Sequence, residues 1–327
     1  MTRDLADTVP SEVLEAFGYS GASADPFDKG LVNRHWLVSV DDRLAVFRRY
    51  HLNRSAAAAA WEQMLVEYAG AKGWPVSVPL RASNGATLLE HAGRLWAAGP
   101  YLDGADTPDD RPARYHILGR LLGRLHHDLS GFEVEGQRPD FGKTWELDAW
   151  IAPANVGTFN ELLTEFGKTY PDLAAVVRRQ RYRNLRDLSR LHYPDLPDMT
   201  IHGDFHRSNL LWKEGQLTGL LDFDQSRRDA LACDLALLLM PHMPLDLRLA
   251  SALLEGYQAV RPLSDVEWEL LPSLVRASLL WWVAYVLVEW RTNGGAPDSV
   301  ARTMTVRLPA FEAAEPSFRA LRRTTAV

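Results

Sequence analysis

Three side chains in one short stretch have the types and spacing to move a phosphoryl group. In Ile201-His202-Gly203-Asp204-Phe205-His206-Arg207-Ser208-Asn209, the carboxylate of Asp204 is followed, after four residues, by the amide of Asn209. The later run Leu220-Leu221-Asp222-Phe223-Asp224 supplies a second carboxylate at Asp222 and a third at Asp224. Phosphoryl transfer needs a carboxylate to orient and deprotonate the attacking hydroxyl, and oxygen ligands for magnesium. Protein kinases meet that need with Asp, four residues and Asn, then a metal-binding Asp further on. On this spacing Asp204 is the base and Asn209 and Asp222 carry magnesium. Asp224 is a second metal contact or a capping residue, with equal weight. Taken singly, each would be an ordinary loop residue; the combination carries the reading.

His202 reads as a prop for the loop through a hydrogen bond rather than as a base. His202, Asp204 and His206 also spell H-x-D-x-H, which on a strand would put three metal ligands on one face, as in a metallohydrolase. That alternative leaves Asn209 and Asp222 unexplained. The cluster His126-His127-Asp128 falls at a helix end and reads as a cap.

The surrounding pattern must bring these groups together. Asn209–Trp212 and Gln216–Leu221 form a hairpin about Lys213-Glu214-Gly215, which returns Asn209 and Asp222 to one place. Upstream, Arg34–Val40 and Leu44–Tyr50 flank the polar turn Asp41-Asp42-Arg43. Ser55 caps a helix whose apolar residues Trp61, Met64, Leu65, Tyr68 and Ala69 recur at helical spacing, ended by Gly70 and Gly73. Ala86–His91 and Arg94–Ala98 make a second hairpin, giving the order β-β-α-β-β. Gly99-Pro100-Tyr101-Leu102-Asp103-Gly104 reads as a hinge. Beyond it Asp110 and Pro112 open a helix with Ile117, Leu118, Leu121, Leu122 and Leu125 on its apolar face. The region from about 131 to 160 is irregular. Helix then runs to about 190, Pro194 and Pro197 mark a loop, and the chain is helical again from about 244.

His202-Gly203-Asp204, Asn209 and Leu221-Asp222-Phe223-Asp224 together resemble the aminoglycoside phosphotransferase/choline kinase family, a branch of the kinase-like fold that also includes homoserine kinases and bacterial stress-response kinases. The resemblance covers most of the chain. It implies an α+β, two-lobed architecture: a small antiparallel-sheet lobe over residues 1–99, a hinge at 100–105, and a larger mostly helical lobe over 106–327. It implies ATP and Mg2+ as cofactors and phosphate transfer to a small-molecule hydroxyl: an amino sugar or aminoglycoside, an amino alcohol such as homoserine or choline, or a natural product. A protein Ser/Thr kinase of the stress-response type and a catalytically dead nucleotide-binding relative are the alternatives. Cys233-Asp234-Leu235-Ala236 matches the family's structural Asp-Leu-Ala segment, which makes Asp234 structural.

The chain departs from kinase patterns in two places. It has no G-x-G-x-x-G loop; the phosphate-covering loop falls instead at Asp28–His35, with Gly30 and Asn33. Strand alternation puts Val46, Arg48 and Tyr50 on one face, and Arg48 stands where the family usually has a phosphate-gripping lysine. An arginine fork binds phosphate but is not equivalent to an ammonium. Glu62 on the following helix matches the acidic partner of that residue. Val46, Gly99 and Tyr101 are the remaining nucleotide contacts, Tyr101 and its neighbours offering hinge backbone groups and an apolar wall to adenine. On the acceptor side, Ser278, Trp282, Tyr285 and Glu289 form a polar-aromatic stripe on one helix face, suited to a cationic or sugar-like acceptor.

The bulk properties narrow the field. A chain of 327 residues with 46% hydrophobic and 24% charged residues supports a sizeable core and about two domains. A formal charge of −6 argues against a nucleic-acid partner, which asks for a concentrated basic surface. A single cysteine excludes a disulfide framework or a thiolate zinc site. The start lacks the apolar core of a signal peptide. The apolar stretches Leu235–Met240 and Ser278–Val288 fall short of the ~20 residues a membrane span needs. These features predict a cytoplasmic enzyme with no membrane partner. Nothing in the sequence sets an oligomeric state.

Overall fold

The computed structural model describes residues 8–27, 33–106, 111–134, 136–193, 196, 199–240, 245–294 and 303–325. The chain opens with α1 (Ser11–Ala16), β1 (Ser23–Pro26), β2 (Arg34–Val40), β3 (Arg43–Arg49), α2 (Ala56–Ala71), β4 (Leu89–His91) and β5 (Arg94–Pro100). It continues with α3 (Pro112–Leu129), α4 (Leu147–Ile151), α5 (Phe159–Thr169) and α6 (Pro171–Arg190). Then come β6 (Met199–Ile201), β7 (Leu210–Lys213), β8 (Gln216–Leu220), β9 (Arg227–Asp229), α7 (Ala232–Leu239) and α8 (Leu247–Gln258). Among the described residues α9 (Asp265–Asn293), a π-helical turn at Thr303–Arg307, α10 (Leu308–Ala314) and α11 (Ser317–Thr325) follow. Asp110, Pro194, Pro197 and residues 28–32 of the glycine-poor loop, Gly30 included, lie outside the described residues.

Two compact units share this chain. The first takes residues 1–107 and 208–223, the second 108–207 and 224–327. The first unit holds an antiparallel sheet in the order β1-β2-β3-β5-β4. Its turns explain the register. Val40 pairs with Arg43 across Asp41-Asp42, with Asp41 left-handed at φ 51°. Ala92-Gly93 turns β4 into β5 with both residues at positive φ, the geometry that matches strand twist in two-residue hairpins. Trp36, Val38, Ala45, Phe47, Trp96 and Ala98 pack with Val13, Leu14 and Phe17 into the larger core of this unit. The sequence pattern missed α1 and β1: each is short, and β1, reading Ser-Ala-Asp-Pro, has no apolar alternation to reveal it.

Helix α2 begins as its cap predicts, with the Ser55 hydroxyl accepting from the Ala58 N–H at 3.1 Å. The β7–β8 hairpin belongs to this first unit. Leu220 N–H donates to the Pro75 carbonyl at 2.8 Å, and Ala105 and Trp212 exchange backbone hydrogen bonds at 3.1 and 2.9 Å.

The second unit is built from helices. Gly119 of α3 and Gly256 of α8 let two backbones touch: a Cβ would stand 2.0 Å from Leu253 O at the first and 2.0 Å from His116 O at the second. Helix α9 runs 29 residues from a capping box, Ser264 with Glu267, to Gly294 at φ 65°. By length and composition it could cross a membrane, which corrects the shorter apolar stretches read from the sequence. Its most apolar window is 72% buried inside the protein, with Leu270, Leu271, Leu274, Leu279 and Leu287 fully enclosed, so it is a core helix. Arg276 on the same helix is buried and reaches Asp187 at 3.0 Å and Glu315 at 2.6 Å, tying α9 to α6 and the segment after α10.

Candidate active site

The segment carrying Asp204 leaves β6 at Ile201, so His202, Asp204 and His206 lie past the strand and not along it. Two backbone amides of this loop converge on one carboxylate. His202 N–H donates to Asp234 Oδ2 at 2.9 Å and Gly203 N–H to Asp234 Oδ1 at 2.8 Å. Gly203 stands at φ 79°, and a Cβ there would meet the Gln225 carbonyl at 2.1 Å, so the turn admits only glycine. Asp204 N–H donates to His202 Nδ1 at 3.2 Å, and the His202 carbonyl accepts from Ser226 Oγ at 2.8 Å. His202 is thus a buried brace for the loop. The Asp204 side chain remains 34% exposed, with Oδ1 3.4 Å from His206 Nε2.

Burial of Asp234 pushes its carboxyl pKa up, but the hydrogen bonds from His126 and the Gly203 amide outweigh it, and the net shift is below the ordinary aspartate range. A depressed carboxylate contributes stability that is present above the unfolded pKa, about 3.9, and lost as pH falls through the lower folded value. Asp234→Asn is therefore expected to lower the urea midpoint at pH 7. Its deficit relative to wild type should shrink only in acid below about pH 4. A deficit independent of pH down to the acid transition would contradict a charged Asp234.

Asp224 is 3% exposed, and its main chain is held from behind. The buried Arg138 donates through Nη1 to the carbonyls of Asp224 and Ser226, each at 2.9 Å, while lying over the Phe141 ring. Arg138 has no sequence signature; it falls in the irregular region and acts through partners more than eighty residues away.

In the first unit the hairpin brings Asn209 and Asp222 together. Leu221 N–H donates to the Asn209 carbonyl at 2.8 Å, which closes the open end of β7–β8 and leaves Asp222 one residue beyond that bond. Asp222 adopts φ 63°, a left-handed conformation that Asp and Asn tolerate better than most residues. The tip, Glu214-Gly215, has φ values of 52° and 79°.

The same unit joins Arg48 and Glu62 as an ion pair at 2.5 Å, with side-chain exposures of 16% and 4%. The Arg48 guanidinium also lies 4.4 Å from the Tyr50 ring centroid. Val46 is half-buried on that face and pairs with Gly99 across β3–β5. Ser77 Oγ donates to the Pro100 carbonyl at 2.8 Å, and a Cβ on Gly99 would come within 2.3 Å of Ser77 Oγ. Tyr101 N–H reaches the Leu44 carbonyl at 3.4 Å. Asn33 is buried and its side-chain oxygen accepts the His51 N–H at 3.0 Å.

On α9, Trp282 and Tyr285 stack at 5.4 Å, and Trp281 stacks on Tyr285 at 6.1 Å. Trp150 meets Trp281 edge-on and is met in turn by Phe141, so the aromatic surface is wider than the stripe read from the sequence. Partial burial, then the nearby Glu289, raises the Tyr285 hydroxyl pKa. Ser278 is fully buried with its hydroxyl bonded to the Leu274 carbonyl, which removes it from the exposed stripe.

The H-x-D-x-H reading required one strand face, and β6 ends at Ile201, before all three residues. His126 likewise differs from expectation. It does not cap α3 but is buried, with ring nitrogens at Tyr257 and Asp234.

A small antiparallel sheet unit and a mostly helical unit are the two parts of a kinase-like fold. Residues 23–268 match the phosphotransferase enzyme family, and the chain belongs to that family. It is a kinase with a hydroxyl acceptor. A homoserine kinase of Agrobacterium fabrum is 30% identical over 235 residues, 70% of this chain and 68% of the relative. The aminoglycoside phosphotransferase of Alicyclobacillus acidocaldarius superposes with a TM-score of 0.70 at 17% identity, covering 99% of this chain and 98% of that one. An amicoumacin kinase solved with AMP-PNP and Ca2+ gives a TM-score of 0.68 at 15% identity, covering 89% and 88%. These two structures share the fold.

Proposed function

We propose that this chain is an ATP- and magnesium-dependent kinase of a small amino-bearing alcohol, with homoserine as the first acceptor to test. The observation that supports the nucleotide part is the backbone hydrogen bond from Leu221 N–H to the Asn209 carbonyl, which makes residues 209 and 222 near neighbours at the open end of one hairpin. One amide and one carboxylate suit magnesium, which keeps waters and substrate phosphates as its other ligands. When bound, magnesium neutralises charge on the phosphate oxygens; Asn209 and Asp222 would hold it, with Asp224 adding charge close by in the chain.

Arg48, aimed by Glu62, grips the phosphates, and Val46, Gly99 and Tyr101 line the base. Residues 1–99 serve the nucleotide, 100–105 form the hinge, and 106–327 carry the catalytic loop, the magnesium ligands and the acceptor site. Asp204 takes the proton of the acceptor hydroxyl as the O–Pγ bond forms and the bond from Pγ to the ADP oxygen breaks. Its loop is held in place by His202 and Asp234. Trp282, Tyr285 and Glu289 supply aromatic faces and a carboxylate for the acceptor's ammonium. Support for an amino alcohol comes from this surface and from the homoserine kinase relative.

The test is ATP consumption by the purified protein with magnesium against homoserine, choline, an aminoglycoside and a generic protein. Turnover dependent on homoserine or another amino alcohol is expected. Turnover with the aminoglycoside alone would move the acceptor class. Phosphorylated protein without small-molecule turnover would overturn the proposal in favour of a protein kinase.

A further inference from the structure

The aromatic surface of α9 ends in a guanidinium that no described carboxylate neutralises. Arg307 is half-buried, with Cζ 5.9 Å from the Trp282 ring centroid. Beyond that ring, no hydrogen-bond acceptor or carboxylate among the described residues partners it. The arginines around it differ. Arg276 bonds Asp187 and Glu315 at 3.0 and 2.6 Å, and Arg183 bonds Glu312 and Glu315 at 3.0 and 3.2 Å. Arg291 Nε lies 3.7 Å from Glu165 Oε2. At the far end of the aromatic row Arg227 lies 5.0 Å from the Trp150 centroid, but it is buried and bonded to Asp229 at 3.3 Å and Thr144 at 2.6 Å. One end of the row is closed; the other carries an open charge.

We propose that Arg307 receives a carboxylate of the acceptor, so that the substrate is a hydroxyl-bearing amino acid and not a simple amino alcohol. The inference rests on Trp282, Tyr285 and Glu289 being the acceptor surface. Arg307 is held in place by its neighbours: it ends the π-helical turn Thr303–Arg307, a rare geometry frequent at functional sites. Leu308 and Phe311, just after it, are fully buried, and Arg276 lies 5.3 Å from the Phe311 centroid. Its fork is therefore free to bind without loosening the fold. Glu289 stands seven residues beyond Trp282 on the same helix face, about 10 Å along the axis, with Tyr285 between them. A guanidinium and a carboxylate thus flank one aromatic pair, and a zwitterion matches that polarity. Arginine stacks on a ring and still offers a carboxylate two parallel N–H bonds. An arginine on a tryptophan commonly serves packing alone; here it ends a row whose other neighbour is an acid suited to an ammonium.

The experiment titrates L-homoserine and L-serine against 3-aminopropan-1-ol and ethanolamine, the same molecules without the carboxylate. It uses the full chain as wild type, Arg307→Gln and Arg307→Lys, with calorimetric Kd, steady-state KM and kcat, and the thermal midpoint. Wild type is expected to bind at least one amino acid 10-fold or more tighter than its carboxylate-free counterpart, roughly the worth of charge-assisted hydrogen bonds. Arg307→Gln should weaken that amino acid by roughly 10- to 100-fold and remove the preference, while melting with wild type. The loss should fall on KM more than on kcat, since the carboxylate is remote from the reacting hydroxyl. Arg307→Lys should fall between, a charge without the fork. Wild type that binds both members of each pair equally, or binds none, would overturn the proposal. So would an Arg307→Gln variant that keeps the preference. Arg307-dependent binding of an amino acid without transfer to it would uphold the inference and overturn the proposed reaction. Transfer to the carboxylate-free alcohols as efficient as to the amino acids would do the reverse.

Discussion

Asp204→Ala is expected to lower phosphoryl transfer by about 10²- to 10⁴-fold, the usual range for loss of a general base, with ATP binding nearly intact. The side chain is 34% exposed, and the His206 imidazole 3.4 Å away is itself exposed, so losing that contact strands no buried charge. Its loop is held through the backbone by Asp234, so the fold of the segment should survive. Steady-state turnover with the productive acceptor and calorimetric titration of magnesium-ATP make the check. Full turnover in Asp204→Ala would show that another group takes the proton.

Asp222 is expected to behave differently, because its loss should reach nucleotide binding as well as turnover. Even supporting contacts around a metal are worth about 10–100-fold, so removing the ligand proposed at Asp222 should cost roughly 100-fold or more in magnesium-dependent affinity. Alanine confounds this test: at φ 63° it adds about 1–2 kcal/mol of left-handed strain. Asp222→Asn tolerates that backbone and removes only the charge, so it is the cleaner variant. Titration of ATP with and without magnesium should show the metal-dependent gain in affinity collapse in Asp222→Asn. A retained gain would move the metal to other ligands.

The parts of the molecule visible in the sequence are those whose causes are local. Ser55 caps α2, Asp41-Asp42 and Glu214-Gly215 turn their hairpins, and Asn209 returns to Asp222 because a hairpin of that length leaves no other course. Residues acting across long loops were illegible. Arg138 holds Asp224 from a stretch without periodicity, and His126, read as a helix cap, faces inward because glycines let α8 approach α3. The acceptor-side stripe was half visible: helical spacing found Trp282 and Tyr285, but included the buried Ser278. Trp150 joins that surface from α4, a helix too short to announce itself. Helix α9 was underestimated because Pro272, Ser273 and Arg276 break its apolar run without breaking the helix.

The interleaving of the two units bears on how the chain is made. Residues 208–223 complete the first unit, but the ribosome delivers them only after residues 108–207 of the second. Until then the Pro75 carbonyl and both backbone groups of Ala105 lack the hairpin partners that the finished protein gives them. Domains ordinarily mature one after another as synthesis proceeds. Here the nascent sheet must wait, and a fragment cut after residue 107 would carry that sheet without its closing hairpin.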